Sequence, residues 1–214
     1  HDTPTGGRVV RVDSCGRIDL GELADALDGD VSVVSVMAVN NEVGSISPIE
    51  EVAALVRSRA PQALLHTDAI QAVTWMELQP LAAQVDLLSL SAHKFGGPKG
   101  VGVLMVRDGI TLEPLLLGGG QEHDRRSGTH NVAGIVALAT ALRIADEQRD
   151  EDVARIAMLR DQLVDGLHER VPGMIETVSR DAKVAGSAHV CFEGVDSESL
   201  LFLADDGGVC DSAA

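Results

Sequence analysis

Three stretches of this sequence put amine, carboxylate, hydroxyl and amide groups directly after short apolar runs, where a strand would hand them to a turn. The richest is Ser-Leu-Ser-Ala-His-Lys-Phe-Gly-Gly-Pro-Lys-Gly at 89–100. Lys94 is its candidate nucleophile: a lysine amine adds to a carbonyl only when deprotonated, which partial desolvation beside another cation arranges. Ser91 and His93 offer a hydroxyl and an imidazole to an anion, and the glycines allow backbone N–H groups to approach it. The plain alternative is a glycine turn with a surface lysine. A Walker nucleotide loop fits worse, because it needs Gly-Lys-Ser/Thr entering a helix, whereas Pro98-Lys99-Gly100 runs into a strand pattern.

The second stretch is Leu-Leu-His-Thr-Asp-Ala-Ile-Gln at 64–71. Asp68 there could pair with the protonated ring nitrogen of a heterocyclic cofactor and strengthen it as an electron sink. Gln71, one helical turn on, could bond a ring oxygen. Read alone, Asp68 is a helix cap, and His66, Asp68 and His93 are also metal-ligand types. Asn40 and Asn41 in Met-Ala-Val-Asn-Asn-Glu-Val-Gly at 37–44 bring amides to the end of a third strand pattern. A fourth stretch, Gly-Gly-Gly-Gln-Glu-His-Asp-Arg-Arg-Ser-Gly-Thr at 118–129, gathers two arginines and two hydroxyls, and on composition alone reads as a solvated loop.

The elements that must position these groups alternate between β-branched runs and helical periodicity, the pattern of βαβ units and a mainly parallel sheet. Strands are expected at 31–36, 64–67, 85–89 and 101–106. A helix is expected at 48–58, opened by Pro48, with a less regular link at 75–83. Ligands in open α/β sheets sit outside the carboxyl ends of the strands, so three of the four stretches fall where a site belongs. Beyond them, 131–149 reads as a helix capped by Asn131, with Val132, Ile135, Val136, Leu138, Ala139, Leu142 and Ala145 on a broad apolar face. The charged run 147–152 reads as a break, followed by a second helix at 153–170 that stops at Val171-Pro172-Gly173. Strands at 174–178 and 188–192 and a helix at 197–204 complete the reading. It divides the chain into an α/β large domain, residues 1–150, and the start of an α+β small domain, residues 151–214.

The chain has 214 residues, with 17 basic and 33 acidic residues for a formal charge of −16. Such a balance repels phosphate backbones and anionic membranes, so neither nucleic acid nor membrane is an expected partner. Aromatic residues make up 2% with no Tyr, which leaves little for base stacking. No run of about 20 apolar residues is present, and the opening residues lack a signal-peptide pattern. The expectation is a soluble, cytoplasmic protein. Cys15, Cys191 and Cys210 are odd in number and widely spaced, which argues against a disulfide framework or cysteine zinc site. Cys191 reads as a small buried core residue and Cys15 as a turn residue.

Taken together, Asn-Asn-Glu-x-Gly at 40–44, His-x-Asp-Ala-x-Gln at 66–71, Ser-x-His-Lys at 91–94 with Gly-Pro-Lys-Gly at 97–100, and Arg-Ser-Gly-Thr at 126–129 resemble the cysteine desulfurases of the class V aminotransferases. All four motifs stand in the family's order, and the resemblance covers essentially the whole chain. It implies the pyridoxal 5'-phosphate (PLP)-dependent transferase fold type I, with PLP as cofactor and no metal. It further implies that Lys94 is the Schiff-base lysine, Asp68 the partner of the pyridine nitrogen, and Gln71 the residue bonding the ring hydroxyl. Ser91 and His93 match the phosphate ligands, and Asn41 the asparagine near the ring oxygen and substrate carboxylate. Thr129 is similar to the threonine that reaches the phosphate of the neighbouring subunit, which implies a homodimer.

The implied reaction converts L-cysteine to L-alanine and leaves the sulfur as a persulfide on an enzyme cysteine, for delivery to an acceptor protein in iron-sulfur assembly, tRNA thiolation or another pathway. Other class V PLP enzymes, such as selenocysteine lyases and carbon-sulfur lyases, share Lys94 and Asp68 and remain the alternative, as does a PLP-binding chain without turnover. The family's ring-stacking histidine and a phosphate-binding threonine fall before His1, and its persulfide cysteine and substrate-clamping arginine fall after Ala214. The chain therefore reads as a fragment, with little or no turnover expected of it alone. Cys210 stands where the family's cysteine loop begins and reads as a neighbour of the nucleophile.

Overall fold

The computed structural model describes residues 7–212. Its main sheet has four strands in sequence order: β1 (Val33–Met37), β2 (Leu64–Asp68), β3 (Leu87–Ser91) and β4 (Gly102–Val106). The pairs β1·β2 and β2·β3 are parallel, joined through α2 (Ile49–Arg59) and α3 (Leu78–Gln84), whereas β3·β4 is antiparallel. Alternation along the strands separates two faces. One carries the buried Thr67 and Leu65, Leu88 and Leu90, which cluster with Val52 and Val56 of α2 and Leu81 of α3. The other carries Ser35, His66, Asp68, Ser89 and Ser91, all half-buried or exposed.

The helix α1 (Leu20–Ala26) packs on α2, and the sequence patterns did not point to it. Asp19 caps it, its Oδ1 accepting from the Gly21 and Glu22 N–H groups at 2.9 and 3.0 Å. At the other end of the chain, β5 (Met174–Glu176) and β6 (Val190–Phe192) form a separate antiparallel pair, followed by α5 (Ser197–Asp206).

Two expectations are corrected. The charged run at 147–152 does not interrupt the chain: α4 (Val132–Arg170) is one helix of 39 residues, about 58 Å at 1.5 Å per residue. Glu, Gln and Arg are good helix formers, the run holds neither Gly nor Pro, and its charges pair along the helix. Arg143 reaches Glu147 and Arg155 reaches Asp152, at 2.8 and 2.7 Å, and Arg149 bonds Asp146. Residue 150, where the division between the two domains is expected, lies within this helix. The apolar face expected of α4 holds through Leu138, Leu142 and Ala145 and fails at its first turn. Gly134 and Leu138 are buried, with Ala141, Leu142 and Ala145 packed on the core, while Val132, Ile135 and Val136 are exposed.

The second correction concerns Cys191, which is exposed rather than buried. Strand parity decides this: Cys191 pairs with Ile175, 61% exposed, on the open face of the β5·β6 ribbon, whereas Met174 lies on the covered face. Cys15 does lie in a turn, where its N–H donates to Asp13.

Candidate functional site

Parallel pairing brings the carboxyl ends of β1, β2 and β3 to one sheet edge. Asp68 closes β2, in register with Met37 at the end of β1 and with Ser89 of β3. Ser91 closes β3, and a 3-10 turn at Ala92–Lys94 follows at once. This turn opens the connection 92–101 between antiparallel β3 and β4, which is clamped at its base by the Ala92 N–H donating to the Val101 carbonyl at 3.0 Å. Phe95, buried, anchors it inward, while His93 and Lys94 stay exposed. The Phe95 and Gly97 N–H groups both donate to the Ala92 carbonyl. A Cβ at Gly97 would stand 2.8 Å from the Ala92 Cβ, so only glycine permits this closure.

Among the described residues the Lys94 amine makes no hydrogen bond or ion pair. Beside it, Ser91 Oγ and His93 Nδ1 are joined at 2.8 Å. Asp68 Oδ1 accepts from the Ile70 N–H at 2.9 Å, the capping contact expected of an Asp there, but its second oxygen has no partner among the described residues. The half-buried side chain of Gln71 lies in the turn that continues from Asp68, and it too is unpaired. Asn40 folds the third stretch: its Oδ1 accepts from the Glu42 and Val43 N–H groups at 2.9 Å, which leaves Asn41 exposed at the tip with its amide free.

Behind Asp68 lies a contact that spans three strands. His66 Nδ1 meets Ser35 Oγ of β1 and His66 Nε2 meets Ser89 Oγ of β3, both at 2.8 Å. Desolvation holds the His66 pKa below its usual value, against the opposing pull of the Asp68 carboxylate. A neutral imidazole with both nitrogens engaged is a positioning element, not a free metal ligand. The sequence reading singled out His66 without Ser35; strand alternation at the register Ser35↔His66 was the signal that could have added it.

Thr129 stands apart from this set. The connection after β4 starts at the far sheet edge and returns to α4, which packs against the Ala92–Lys94 turn. A Cβ at Gly134 would lie 2.5 Å from Val101 Cγ2, so the helix start is pressed onto the base of the lysine loop. Thr129 lies shortly before that start, exposed and unpaired among the described residues. Its loop is held by the Gly128 N–H donating to Gln121 Oε1 at 3.0 Å, by the Arg125 guanidinium donating to the Ile110 carbonyl at 3.3 Å, and by a His130–Glu122 contact. Glu122, His123 and Asp124 are all left-handed, with φ of 54°, 56° and 64°, a costly run for residues with a Cβ.

Comparison with known proteins is consistent with this arrangement. The model of the class V aminotransferases matches residues 5–213. A cysteine desulfurase from Gluconacetobacter diazotrophicus is 40% identical over 204 residues, covering 95% of this chain and 50% of that protein. Cysteine desulfurase IscS from Methanosarcina thermophila is 38% identical over 210 residues, covering 95% and 51%. The chain thus spans about half the length of the curated relatives it matches. A solved NifS-like protein superposes with a TM-score of 0.91 at 39% identity, covering 97% of this chain and 56% of that one, and shares the fold expected from the sequence, the PLP-dependent transferase fold type I. From these matches and the motif order at the sheet edge, the chain belongs to the class V aminotransferase family.

Proposed function

We propose that this chain carries the cofactor crevice of a PLP-dependent cysteine desulfurase acting on L-cysteine. The observation that carries the reading is the unpaired Lys94 amine at the carboxyl edge of β3, beside the Ser91–His93 pair and one strand from Asp68. The set fits the cofactor by its chemistry: an amine for the aldehyde, a carboxylate with one free oxygen for the ring nitrogen, amides for the ring oxygen, and hydroxyl and imidazole for the phosphate. When bound, PLP supplies an electron sink for the pair released at the substrate carbon.

Lys94 would hold the cofactor through Nζ, and its free amine would move the substrate α-proton. Asp68 holds a proton on the ring nitrogen through its free oxygen, while its other oxygen stays fixed on the Ile70 N–H. Gln71 and Asn41 orient the ring oxygen and the substrate carboxylate, and Ser91 and His93 hold the phosphate. In sulfur transfer an enzyme thiolate bonds to the substrate sulfur as the carbon-sulfur bond breaks. The electron pair goes to carbon, and protonation there gives L-alanine. Steady alanine formation by the chain, lost on Cys210→Ala, would make the exposed Cys210 the sulfur carrier; turnover that survives the change would point to a different lyase mechanism. The sulfur then passes to an acceptor protein.

Thr129, on the exposed loop before α4, is assigned to the phosphate of a partner copy, so the working form is a homodimer. No helix among the described residues is long and apolar enough to cross a membrane. Incubation with PLP and L-alanine in deuterium oxide tests the reading. Deuterium should enter at Cα faster than with free PLP, cease to do so in Lys94→Ala, and fall sharply in Asp68→Asn. Exchange no faster than with free PLP overturns it.

A further inference from the structure

The turn between β5 and β6 reaches back to the two loops that carry Asn41 and Gln71. Residues 182–187 cross the Asn40–Gly44 turn as a strap. The Ile46 N–H donates to the Ala182 carbonyl at 2.9 Å, the Val184 N–H to the Gly44 carbonyl at 3.0 Å, and the Ser187 hydroxyl to the Val43 carbonyl at 2.9 Å. The approach is close enough that a Cβ on Gly44, itself at φ +75°, would lie 2.2 Å from the Ser187 Cβ.

One residue away, Gly186 lies against the indole of Trp75, where a Cβ would sit 2.2 Å from the ring. Trp75 belongs to the same turn as Gln71, with its N–H donating to the Ala72 carbonyl at 2.9 Å. The strap is itself held from behind. Lys183, its side chain fully buried, pairs with Glu176 of β5 at 2.6 Å, and the buried Arg160 of α4 donates to the Val184 carbonyl at 3.3 Å. A buried ammonium with one carboxylate partner fixes its segment firmly, because any displacement would strand the charge.

Resting on the PLP reading above, we infer that residues 182–187 are a positioning strap for the cofactor crevice. The strap sets the Asn41 and Gln71 turns relative to each other, with Ser187 and Gly186 as its contact residues. They act through the turns, not on the reacting atoms. Nothing in the motifs that suggested the cofactor site includes them.

Trp75 is the single tryptophan of the chain, so its emission reports on the strap without any cofactor. The experiment compares the parent chain with Ser187→Ala and Gly186→Ala by Trp75 emission, by PLP titration, and by the pH midpoint of the visible absorbance of the bound cofactor. Asp196→Ala, which removes the cap of α5 and should lower stability without touching the strap, is the control. Ser187→Ala loses one hydrogen bond to a loop carbonyl and should weaken PLP by roughly 3- to 10-fold and shift the pH midpoint. Gly186→Ala should also shift the Trp75 emission and weaken PLP at least as much, while Asp196→Ala leaves PLP affinity and pH midpoint at the parent values. If Gly186→Ala does not fold, Ser187→Ala decides alone. A parent that takes up PLP, with both strap variants matching it in affinity and pH midpoint, overturns the inference and leaves the PLP reading intact. A parent that takes up no PLP overturns both.

Discussion

Replacing Asp86 with alanine should destabilise the sheet by an amount its contacts define. Asp86 is a buried carboxylate just before β3, and its Oδ2 accepts from the Leu65 N–H of β2 at 2.8 Å. Its Oδ1 receives Arg57 of α2 at 2.9 Å and Arg107, just beyond β4, at 3.3 Å. Leaving the buried Leu65 N–H without an acceptor costs about 1–3 kcal/mol. The two guanidinium groups stay more than 40% exposed, and Arg107 keeps its bonds to the Ala83 and Val85 carbonyls. Each pair therefore contributes about 0–1 kcal/mol. The sum is about 1–5 kcal/mol, a roughly 5- to 4,000-fold fall in the folded to unfolded ratio. Asp86→Asn keeps an oxygen for the Leu65 N–H and should cost about 1 kcal/mol. Urea titration followed by circular dichroism reads both. Asp86 sits at the sheet edge opposite Lys94, so PLP uptake per folded molecule should not change. Asp86→Ala within about 0.5 kcal/mol of the parent, or equal to Asp86→Asn, would refute the assignment of the cost to the orphaned N–H.

His66, held below its usual pKa of 6.5 by burial, favours the neutral form in the folded state. The unfolded chain takes up its proton first as pH falls below 6.5, so the stability His66 contributes is intact above that pH and is lost as pH drops through the folded-state midpoint. His66→Gln should flatten the fall in stability between pH 7 and 5, and an unchanged slope would mean the imidazole is not desolvated. On α4, Leu138→Ala should cost about 2–5 kcal/mol in urea titration. Val136→Ala, two residues away and exposed, should stay within about 0.5 kcal/mol, and equal effects would mean the helix faces are misassigned.

The site was more legible than the frame that holds it. Short apolar runs ending in polar residues located the strand ends within one or two positions, because burial on one face and turn chemistry at the end both leave marks in sequence. Lys94, Asp68 and Asn41 sit at those ends because parallel strands put their carboxyl termini on one side. Charge misled the reading of α4: a run of Glu, Arg and Asp looks like a loop by composition, but helical pairing absorbs it. Cys191 was misjudged because hydrophobicity does not say which face of a two-stranded ribbon is covered. The strap at 182–187 left no local signal, since a turn that braces two loops far away in sequence is written in glycine clearances at Gly44 and Gly186, visible only in three dimensions.

The central claim is that Lys94 carries the cofactor, and borohydride reduction tests it most directly. The chain is incubated with PLP, reduced, digested and mapped by mass spectrometry. The pyridoxyl adduct should sit on Lys94, in the peptide that contains Ser91 and His93, and Lys94→Ala should lose both the adduct and the visible absorbance. An adduct found instead on Lys99, or one retained elsewhere at full yield in Lys94→Ala, would contradict the account.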